Sequence, residues 1–300
     1  MMKKYIYAVL VFLIAPSAAF AVYNSSIIYS FLDIAPDARS AALGDAVTSL
    51  KGPNPGAFAN PAVIAGVNSS EASVTMGKWF GDTAYQNIFS ASPVGGGFTS
   101  LQLMYVKWGD FETRDDYGAL MNEIISSFEL AIGVSYAVNL FDFLSAGFTA
   151  KAMGNATGNT MKGTGAVDIG AVYEINDMKF GASVNNIGFA EGYGFPLTLR
   201  GGASGTIQLA QQHALLVTGD LKHVINDETV FAAGAEYSYE SFLFVRAGYR
   251  MRSWGSPYDM ISGFSFGTGV RVSGIIFDYA LVPYGDLGLT HRVTAGYSFK

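Results

Sequence analysis

The feature that most constrains this chain is its C-terminal stretch, residues 290–299, in which apolar and polar side chains alternate. From Val293 onward the odd-numbered positions are apolar and end in Phe299, whereas the even-numbered positions are small or polar. A period of two is typical of a β-strand that separates two unlike media. The stretch also has the length that a tilted strand needs to cross a bilayer, roughly 9 to 11 residues. We therefore expect one of the two media to be lipid.

A strand of this type, with an aromatic residue one position before the C-terminus, is typical of the closing strand of bacterial outer-membrane β-barrels. Such barrels are recognised by their insertion machinery through this element. The sequence therefore predicts two partners, which are outer-membrane lipid around the apolar face and the insertion machinery at the strand that ends at Phe299.

Fourteen segments from Ser73 onward have the length and composition of strands. We predict strands at residues 73–80, 84–92, 97–107, 126–138, 142–153, 164–175, 178–186, 196–207, 213–222, 229–238, 242–250, 259–272, 273–282 and 290–299. An even number of strands brings both ends of a closed barrel to the same side. The predicted fold is therefore all-β, a transmembrane antiparallel β-barrel of about 14 strands over residues 71–300.

Charged side chains in these strands keep to one face, as Asp168 does between Val167 and Ile169. A Lys or Arg on the lipid face at mid-bilayer would cost about 2 to 4 kcal/mol. Lys78 and Lys107 break the pattern, but at strand ends, where a long side chain can reach the interface. The residues expected to line the lumen are Glu129, Lys151, Asp168, Glu174, Arg200, Asp220, Glu236, Arg246, Arg250, Asp278 and Arg292. They either pair with one another and with the N-terminal segment, or line a path for a ligand.

Residues 1–21 have the pattern of a secretory signal peptide, with Lys3 and Lys4, an apolar run and a small-x-small site that ends at Ala21. The expected location is therefore the bacterial outer membrane. Without the two lysines the net charge falls from −6 to −8, which argues against a nucleic-acid partner. The chain has no Cys, so strand pairing and packing must hold it together without disulfides.

Residues 22–70 do not alternate and contain four of the nine prolines. Small residues in 37–50 predict a short helix that opens at Pro36 and Asp37. We interpret this segment as a plug inside the barrel lumen, with a periplasmic tail as the alternative. The candidate plug residues are Arg39, Asn60 and Pro61.

The order of motifs in this segment resembles the PorV/PorQ family of FadL-type outer-membrane barrels. These motifs are residues 31–34 (FLDI), residues 38–44 (ARSAALG), the Asn-Pro-Ala at 60–62, and the strands that follow. The sequence departs from the family at Asp45, where a glycine is usual, and in a turn-rich link at 51–56. The FadL group implies transport of hydrophobic compounds, whereas PorV/PorQ implies an accessory barrel of type IX-like secretion that binds exported cargo.

Each implication predicts a different surface. A hydrophobic ligand predicts an apolar pocket between plug and wall, formed by residues such as Phe31, Leu32 and Phe58. A docking role predicts an exposed apolar patch on the loops at 108–125 and 251–258. Counted from a periplasmic C-terminus, the short turns face the periplasm and the longer loops face outward. The same count places all three tryptophans, Trp79, Trp108 and Trp254, at the outer end, where they form either an aromatic girdle or ordinary loop aromatics.

The sequence offers little material for catalysis, so we expect a non-enzymatic protein without cofactor or metal. His223 and His291 at the rim, with Asp220 and Asp227, are the raw material of an Asp/His hydrolase, but rim histidines are usually interfacial polar residues. The acidic stretch at 110–116 could hold Ca²⁺, although a solvated loop is the simpler reading. A soluble β-sandwich is disfavoured, since aromatic and aliphatic side chains would then coat its exterior.

Overall fold

The computed structural model describes residues 29–52, 55–79, 83–115, 117–188, 195–252 and 263–299. Fourteen antiparallel strands close into a barrel, which confirms the predicted fold class. The predicted signal peptide, Trp254 and most of the loop at 251–258 lie outside the described residues.

Every strand pairs with its sequence neighbours, and β1 closes the barrel against β14. This last ladder runs from Glu71 opposite Ser298 to Lys78 opposite His291. The strands are β1 Glu71–Lys78, β2 Ala84–Val94, β3 Gly97–Arg114, β4 Leu120–Phe141, β5 Leu144–Thr157, β6 Thr160–Ile175, β7 Met178–Gly188, β8 Thr198–Ala210, β9 His213–Val224, β10 Thr229–Tyr239, β11 Leu243–Arg252, β12 Phe264–Val272, β13 Ile275–Pro283 and β14 Leu289–Ser298.

The two ends of the barrel differ in their connections. At the end where β14 finishes, the connections are two or three residues long, and we call this the short-turn end. These turns contain Asn176, Glu240 and Ser273 at positive φ, as tight hairpins require. We call the opposite side the long-hairpin end.

Two predicted loops at the long-hairpin end are largely strand. β3 and β4 continue their ladder beyond Lys107 until Arg114 pairs with Leu120. β5 and β6 likewise pair up to Thr157 and Thr160, so the predicted loops at 108–125 and 154–163 were wrong. The prediction ended these strands where charged residues begin, but a hairpin outside lipid can keep its backbone hydrogen bonds with charged side chains in water.

The two faces of the wall separate charge from apolar surface. Asp168 is fully buried toward the lumen, whereas Ile169 beside it is 49% exposed on the outer face. The same alternation holds at Asp278 and Phe277 on β13. Lys107, one of the two exceptions, pairs with Asp110 at 2.9 Å. An apolar outer face and a charged inner face are the pattern of a barrel whose exterior is lipid.

Residues 29–52 and 55–70 fold inside the barrel. A short helix, α1 (Ala38–Ala42), begins at Asp37, whose carboxylate accepts a hydrogen bond from the Ser40 backbone N–H. Three 3₁₀ turns, Ser30–Asp33, Pro55–Phe58 and Pro61–Gly66, complete what we call the plug. None of the helices in the described part of the chain is long and apolar enough to cross a membrane.

The girdle predicted for Trp79 and Trp108 was wrong. Both side chains pack against an apolar cluster inside the lumen. The register of β3 shifts between Lys107 and Gly109, at Trp108, and the Trp108 indole donates to Glu129 at 2.8 Å. Trp108 keeps the even-numbered, lumen-facing phase of Met104 and Val106. The prediction failed because it ended β3 at Lys107 and assigned Trp108 to an outer loop.

Candidate functional site: the plugged lumen

One ionic network joins helix α1 to the wall. Arg39 donates two hydrogen bonds to Glu236, at 2.7 and 2.8 Å. Glu236 also accepts from Arg246 at 2.5 Å, and Arg246 donates to Asp278 at 2.6 Å. The network therefore runs from the plug across β10, β11 and β13.

This network explains why Arg39 can stay charged although it is buried in the plug. Burial lowers the pKa of Arg39, but the facing Glu236 more than offsets that effect and holds it above its usual value. Burial raises the pKa of Asp37, against the opposing effect of its hydrogen bonds from Ser40. Arg39 thus stays charged inside the barrel because its partner is charged as well.

A second ion pair joins β5 to β6 inside the wall and faces the plug. Lys151 and Asp168 approach to 2.9 Å with almost no solvent exposure, and the Lys151 ammonium lies 5.0 Å from the centre of the Phe58 ring. Lys151 also donates to the Asn186 side chain at 2.5 Å. Asn186 has a φ of +59° and donates its backbone N–H to Asp168, so this pair fixes a bulge in β7.

A third set of contacts holds plug segment 45–50 to β8 and β9. One oxygen of Asp220 accepts from the backbone N–H groups of Val47 and Thr48, both at 2.9 Å, and from the Thr48 hydroxyl at 2.6 Å. Arg200 pairs with Asp45 at 3.2 Å. Asp45 has a φ of +67°, a conformation that glycine adopts with less strain, at the position where the resembling family usually carries glycine.

The remaining lumen candidates also contact the plug or the wall. Asp33 pairs with both Lys222 and Arg250. Arg292 donates to the Ala35 carbonyl at 2.8 Å, and Glu174 pairs with Lys51 of the plug at 2.5 Å. Glu129 accepts a hydrogen bond from the Trp108 indole. Most of the lumen candidates therefore contact charged or polar partners on the plug or on neighbouring strands.

Asn60 and Pro61, the other two plug candidates, anchor the third 3₁₀ turn. The Asn60 amide donates to the carbonyls of Thr48 and Ala171, at 2.7 and 3.0 Å. Its carbonyl accepts from the Ala62 N–H and caps the turn in which Pro61 is the first residue. Asn60 therefore links two plug segments to β6.

Sequence reasoning missed a ring of wall glycines against which the plug packs closely. On each of these glycines an added Cβ would come closer than 3.0 Å to a plug atom. This glycine collar consists of Gly133, Gly147, Gly170, Gly181, Gly234, Gly248 and Gly267. Glycine in a strand permits such close backbone approach. A weak signal was present, since these glycines occupy lumen-facing positions in the alternation.

An apolar cluster fills the lumen toward the long-hairpin end. Its plug members include Phe31 and Phe58, two of the three residues predicted for a ligand pocket. Leu32, the third, packs at its edge with Trp79, Trp108 and Phe195. The wall members are Tyr85, Met104, Val106, Ala131, Met153 and Ala166. We call this the aromatic cluster.

The candidate hydrolase residues do not meet. Asp220 faces the lumen, where Thr48 covers it, whereas His223 lies three residues along β9, on the opposite face, and contacts Thr229 at 2.9 Å. His291 faces outward and bonds to Tyr279 at 2.7 Å. Within the described ranges, no three His, Cys, Asp or Glu side chains are grouped to hold a metal. In the acidic stretch, Asp110 bonds Lys107 and Ser126 instead.

A cavity of about 180 Å³ opens between the plug and β7–β10 at the short-turn end. Arg39, Leu50 and Lys51 of the plug face Ser204 and Leu216 of the wall across it. Its lining is mostly polar and carries both signs of charge, unlike the aromatic cluster.

No protein-family model and no curated protein matches the chain. Among solved structures, the barrel is similar to the Pseudomonas putida toluene transporter TodX, with a TM-score of 0.64 and 10% identity over 93% of this chain and 99% of that one. It is also similar to the monoaromatic hydrocarbon channel CymD, with a TM-score of 0.63 and 12% identity over 88% and 97% of the two chains. The Acinetobacter baumannii outer membrane protein Omp33 follows at 0.51 and 10%, over 77% and 98%. The chain therefore shares the barrel fold of these proteins.

Proposed function

We propose that this protein is a plugged outer-membrane channel that binds and conducts small hydrophobic compounds, with its short-turn end in the periplasm. The observation that carries the proposal is the aromatic cluster. The lumen of many barrels is polar, so a concentration of aromatic and thioether side chains at one end of this lumen suits an apolar ligand. Two structures with the same fold are described as a toluene transporter and a monoaromatic hydrocarbon channel, which supports this ligand class.

The composition of the cluster suits a small apolar ligand. Phe31 and Tyr29, both from the plug, pack edge-on with ring centroids 6.5 Å apart, and Phe195 contacts Tyr29 at 6.1 Å. Trp79 and Trp108 lie at the border of this group. Mostly apolar walls with a few polar groups at the rim are typical of small-molecule sites.

We expect toluene to bind the purified protein and to change its tryptophan fluorescence, because Trp79 and Trp108 border the aromatic cluster. Phe31→Asn should weaken toluene binding about tenfold, equivalent to about 1.4 kcal/mol. Phe31→Leu keeps an apolar side chain and should retain most of the affinity. Equal affinities for the wild type and Phe31→Asn would exclude the cluster as the site.

A second candidate function rests on the β3–β4 hairpin. Residues 109–115 and 117–126 extend beyond the last pairs with β2 and β5, at Lys107 and Ser127, so among the described residues no strand pairs with either edge of this ribbon. Its exposed apolar side chains are Phe111, Tyr117, Leu120, Met121 and Ile124. A ribbon of this kind can dock a protein, which supports a PorV/PorQ-type role in surface secretion as the alternative.

One variant distinguishes the two proposed functions. Replacing residues 111–123 with a two-residue turn should abolish capture of exported cargo at the cell surface if docking is the function. The same variant should bind toluene like the wild type, since the aromatic cluster is unchanged. Unaltered cargo capture would remove the docking candidate.

A further inference from the structure

Glu129 on β4 is a buried lumen carboxylate with little to hold it. Its side chain accepts a hydrogen bond from the Trp108 indole at 2.8 Å, through Oε2, and it is 9% exposed. Within the described ranges, no Lys or Arg pairs with it and no other group donates to it. The other predicted lumen carboxylates either form ion pairs or, at Asp220, accept three hydrogen bonds. A buried carboxylate without such partners is costly to the fold, which points to a role other than stability.

Asn155 on β5 lies directly opposite Glu129 in the strand register. Opposite residues of an antiparallel pair project from the same face, so both side chains belong to the lumen side. The Asn155 side-chain oxygen is buried and has no hydrogen-bond partner among the residues that the structure describes. Most buried polar atoms in folded proteins have a partner, so two neighbouring side chains with free acceptors are unusual. We call Glu129 and Asn155 the polar pair.

The polar pair borders the aromatic cluster on its long-hairpin side. Three wall members of the cluster form one row across the register, Met104–Ala131–Met153. The next row toward the long-hairpin end is Val106–Glu129–Asn155–Lys162. Asn155 is half-buried and Lys162 is exposed, so this row lies between the apolar cluster and solvent.

The plug also meets the polar pair. Tyr29, a plug member of the aromatic cluster, lies near enough to Glu129 for its charge to act on the hydroxyl. Burial raises the pKa of Tyr29, the Glu129 carboxylate adds to the rise, and Lys162 opposes it. Glu129 therefore acts electrostatically on the part of the lumen where an aromatic ring packs.

The chemistry of the pair matches one kind of substituent. An ionised carboxylate only accepts hydrogen bonds, whereas an amide both donates and accepts. A phenolic hydroxyl can donate to the carboxylate and accept from the amide, while its ring remains apolar. A hydrocarbon would leave both side chains without a partner.

We propose that Glu129 and Asn155 recognise the hydroxyl group of small phenols, whose ring packs against the aromatic cluster. This inference rests on the proposed function, because it takes the aromatic cluster as the place where the ring binds. Glu129 accepts the hydrogen bond of the phenol through its free oxygen, and Asn155 contacts the phenol oxygen. Trp108 is a positioning residue, since its indole holds Oε2 of Glu129 and leaves the other oxygen for the ligand.

The test compares p-cresol with toluene, two ligands that differ only by a hydroxyl group. Calorimetry on the full chain in lipid nanodiscs, with empty nanodiscs subtracted, measures both dissociation constants. We expect p-cresol to bind about tenfold more tightly, because a site built to hydrogen-bond a hydroxyl discriminates against the analogue without it. Glu129→Gln keeps an acceptor for Trp108 but removes the charge, and should abolish most of this preference without changing toluene affinity. Asn155→Ala should reduce the preference by a smaller factor.

Two controls distinguish recognition from a structural role. Glu112→Gln removes an exposed carboxylate from the β3–β4 hairpin and should keep the full preference for p-cresol. Glu129→Gln should unfold at the same or a higher denaturant concentration than the wild type, as expected where a functional group is costly to the fold. A lower midpoint together with an unchanged preference would assign Glu129 to the fold and overturn the proposal.

The outcomes also separate this inference from the proposed function. Equal affinities for toluene and p-cresol, or a preference that Glu129→Gln retains, would overturn the polar pair and leave the hydrophobic channel standing. Binding of p-cresol that depends on Glu129, without binding of toluene, would support the polar pair and contradict a hydrocarbon channel. Binding of neither compound would overturn both.

Discussion

Replacing Arg246 with Met should destabilise the barrel by about 3 to 5 kcal/mol, the usual cost of removing one partner from a buried ionic group. Arg246 is fully buried and donates to both Glu236 and Asp278. Glu236 keeps Arg39, but Asp278 loses the guanidinium that faces it while remaining in the lumen. The loss should appear as a lower free energy of unfolding for protein refolded into lipid vesicles.

Two further variants attribute the loss to buried charge. Arg114→Met removes an exposed arginine on the β3–β4 hairpin and should change stability by less than about 0.5 kcal/mol. Adding Asp278→Leu to Arg246→Met removes the carboxylate left behind, so the double variant should recover part of the lost stability. An Arg246→Met barrel as stable as the wild type would show that the network around α1 does not hold the plug.

Gly234→Ala should displace the plug, although it adds a single methyl group. The added Cβ would lie 2.7 Å from the Leu43 carbonyl oxygen and 3.0 Å from its Cα, both of which are backbone atoms that cannot rotate away. Overpacking of this kind costs about 1 to 3 kcal/mol. We expect a lower free energy of unfolding and faster protease cleavage at Lys51 in the plug.

Gly219→Ala is the matched control on the neighbouring strand. Gly219 faces outward, and its nearest neighbour to an added Cβ is the Ala232 carbonyl oxygen at 3.8 Å, an ordinary contact. This variant should behave like the wild type in both assays. Similar effects of the two substitutions would mean that strand propensity, and not plug contact, sets the cost of losing these glycines.

The alternation of apolar and polar residues with a period of two was enough to predict most of the fold, because it is a local property of the chain. It placed Asp168 and Asp278 on the lumen side without any knowledge of their partners. The failure lay in the strand ends, because charged residues in 108–125 were taken for a loop, so the predicted β3 ended too early and the predicted β4 began too late. Trp108 was therefore assigned to the loop, although the alternation places it in the lumen, in phase with Met104 and Val106.

The contents of the lumen were less predictable than its wall. That Arg39 would pair inside the barrel could be anticipated from its charge, but the choice of Glu236 depends on how the plug is rotated relative to β10. The glycine collar depends on the same rotation, which only the folded structure reveals. Plug register is a long-range property, so no local pattern in residues 29–70 encodes it.

The most direct test of the account is spin-label accessibility along β13, since the account requires that lipid surround the barrel and that charge face the plugged lumen. The chain has no Cys, so single cysteines at positions 276 to 281 can each be labelled in protein reconstituted into bilayers. We predict high access for oxygen and low access for a water-soluble nickel chelate at 277, 279 and 281, with low access for both at 276, 278 and 280. Nickel access at the odd positions, or no alternation along the strand, would contradict a lipid-facing barrel with a filled lumen.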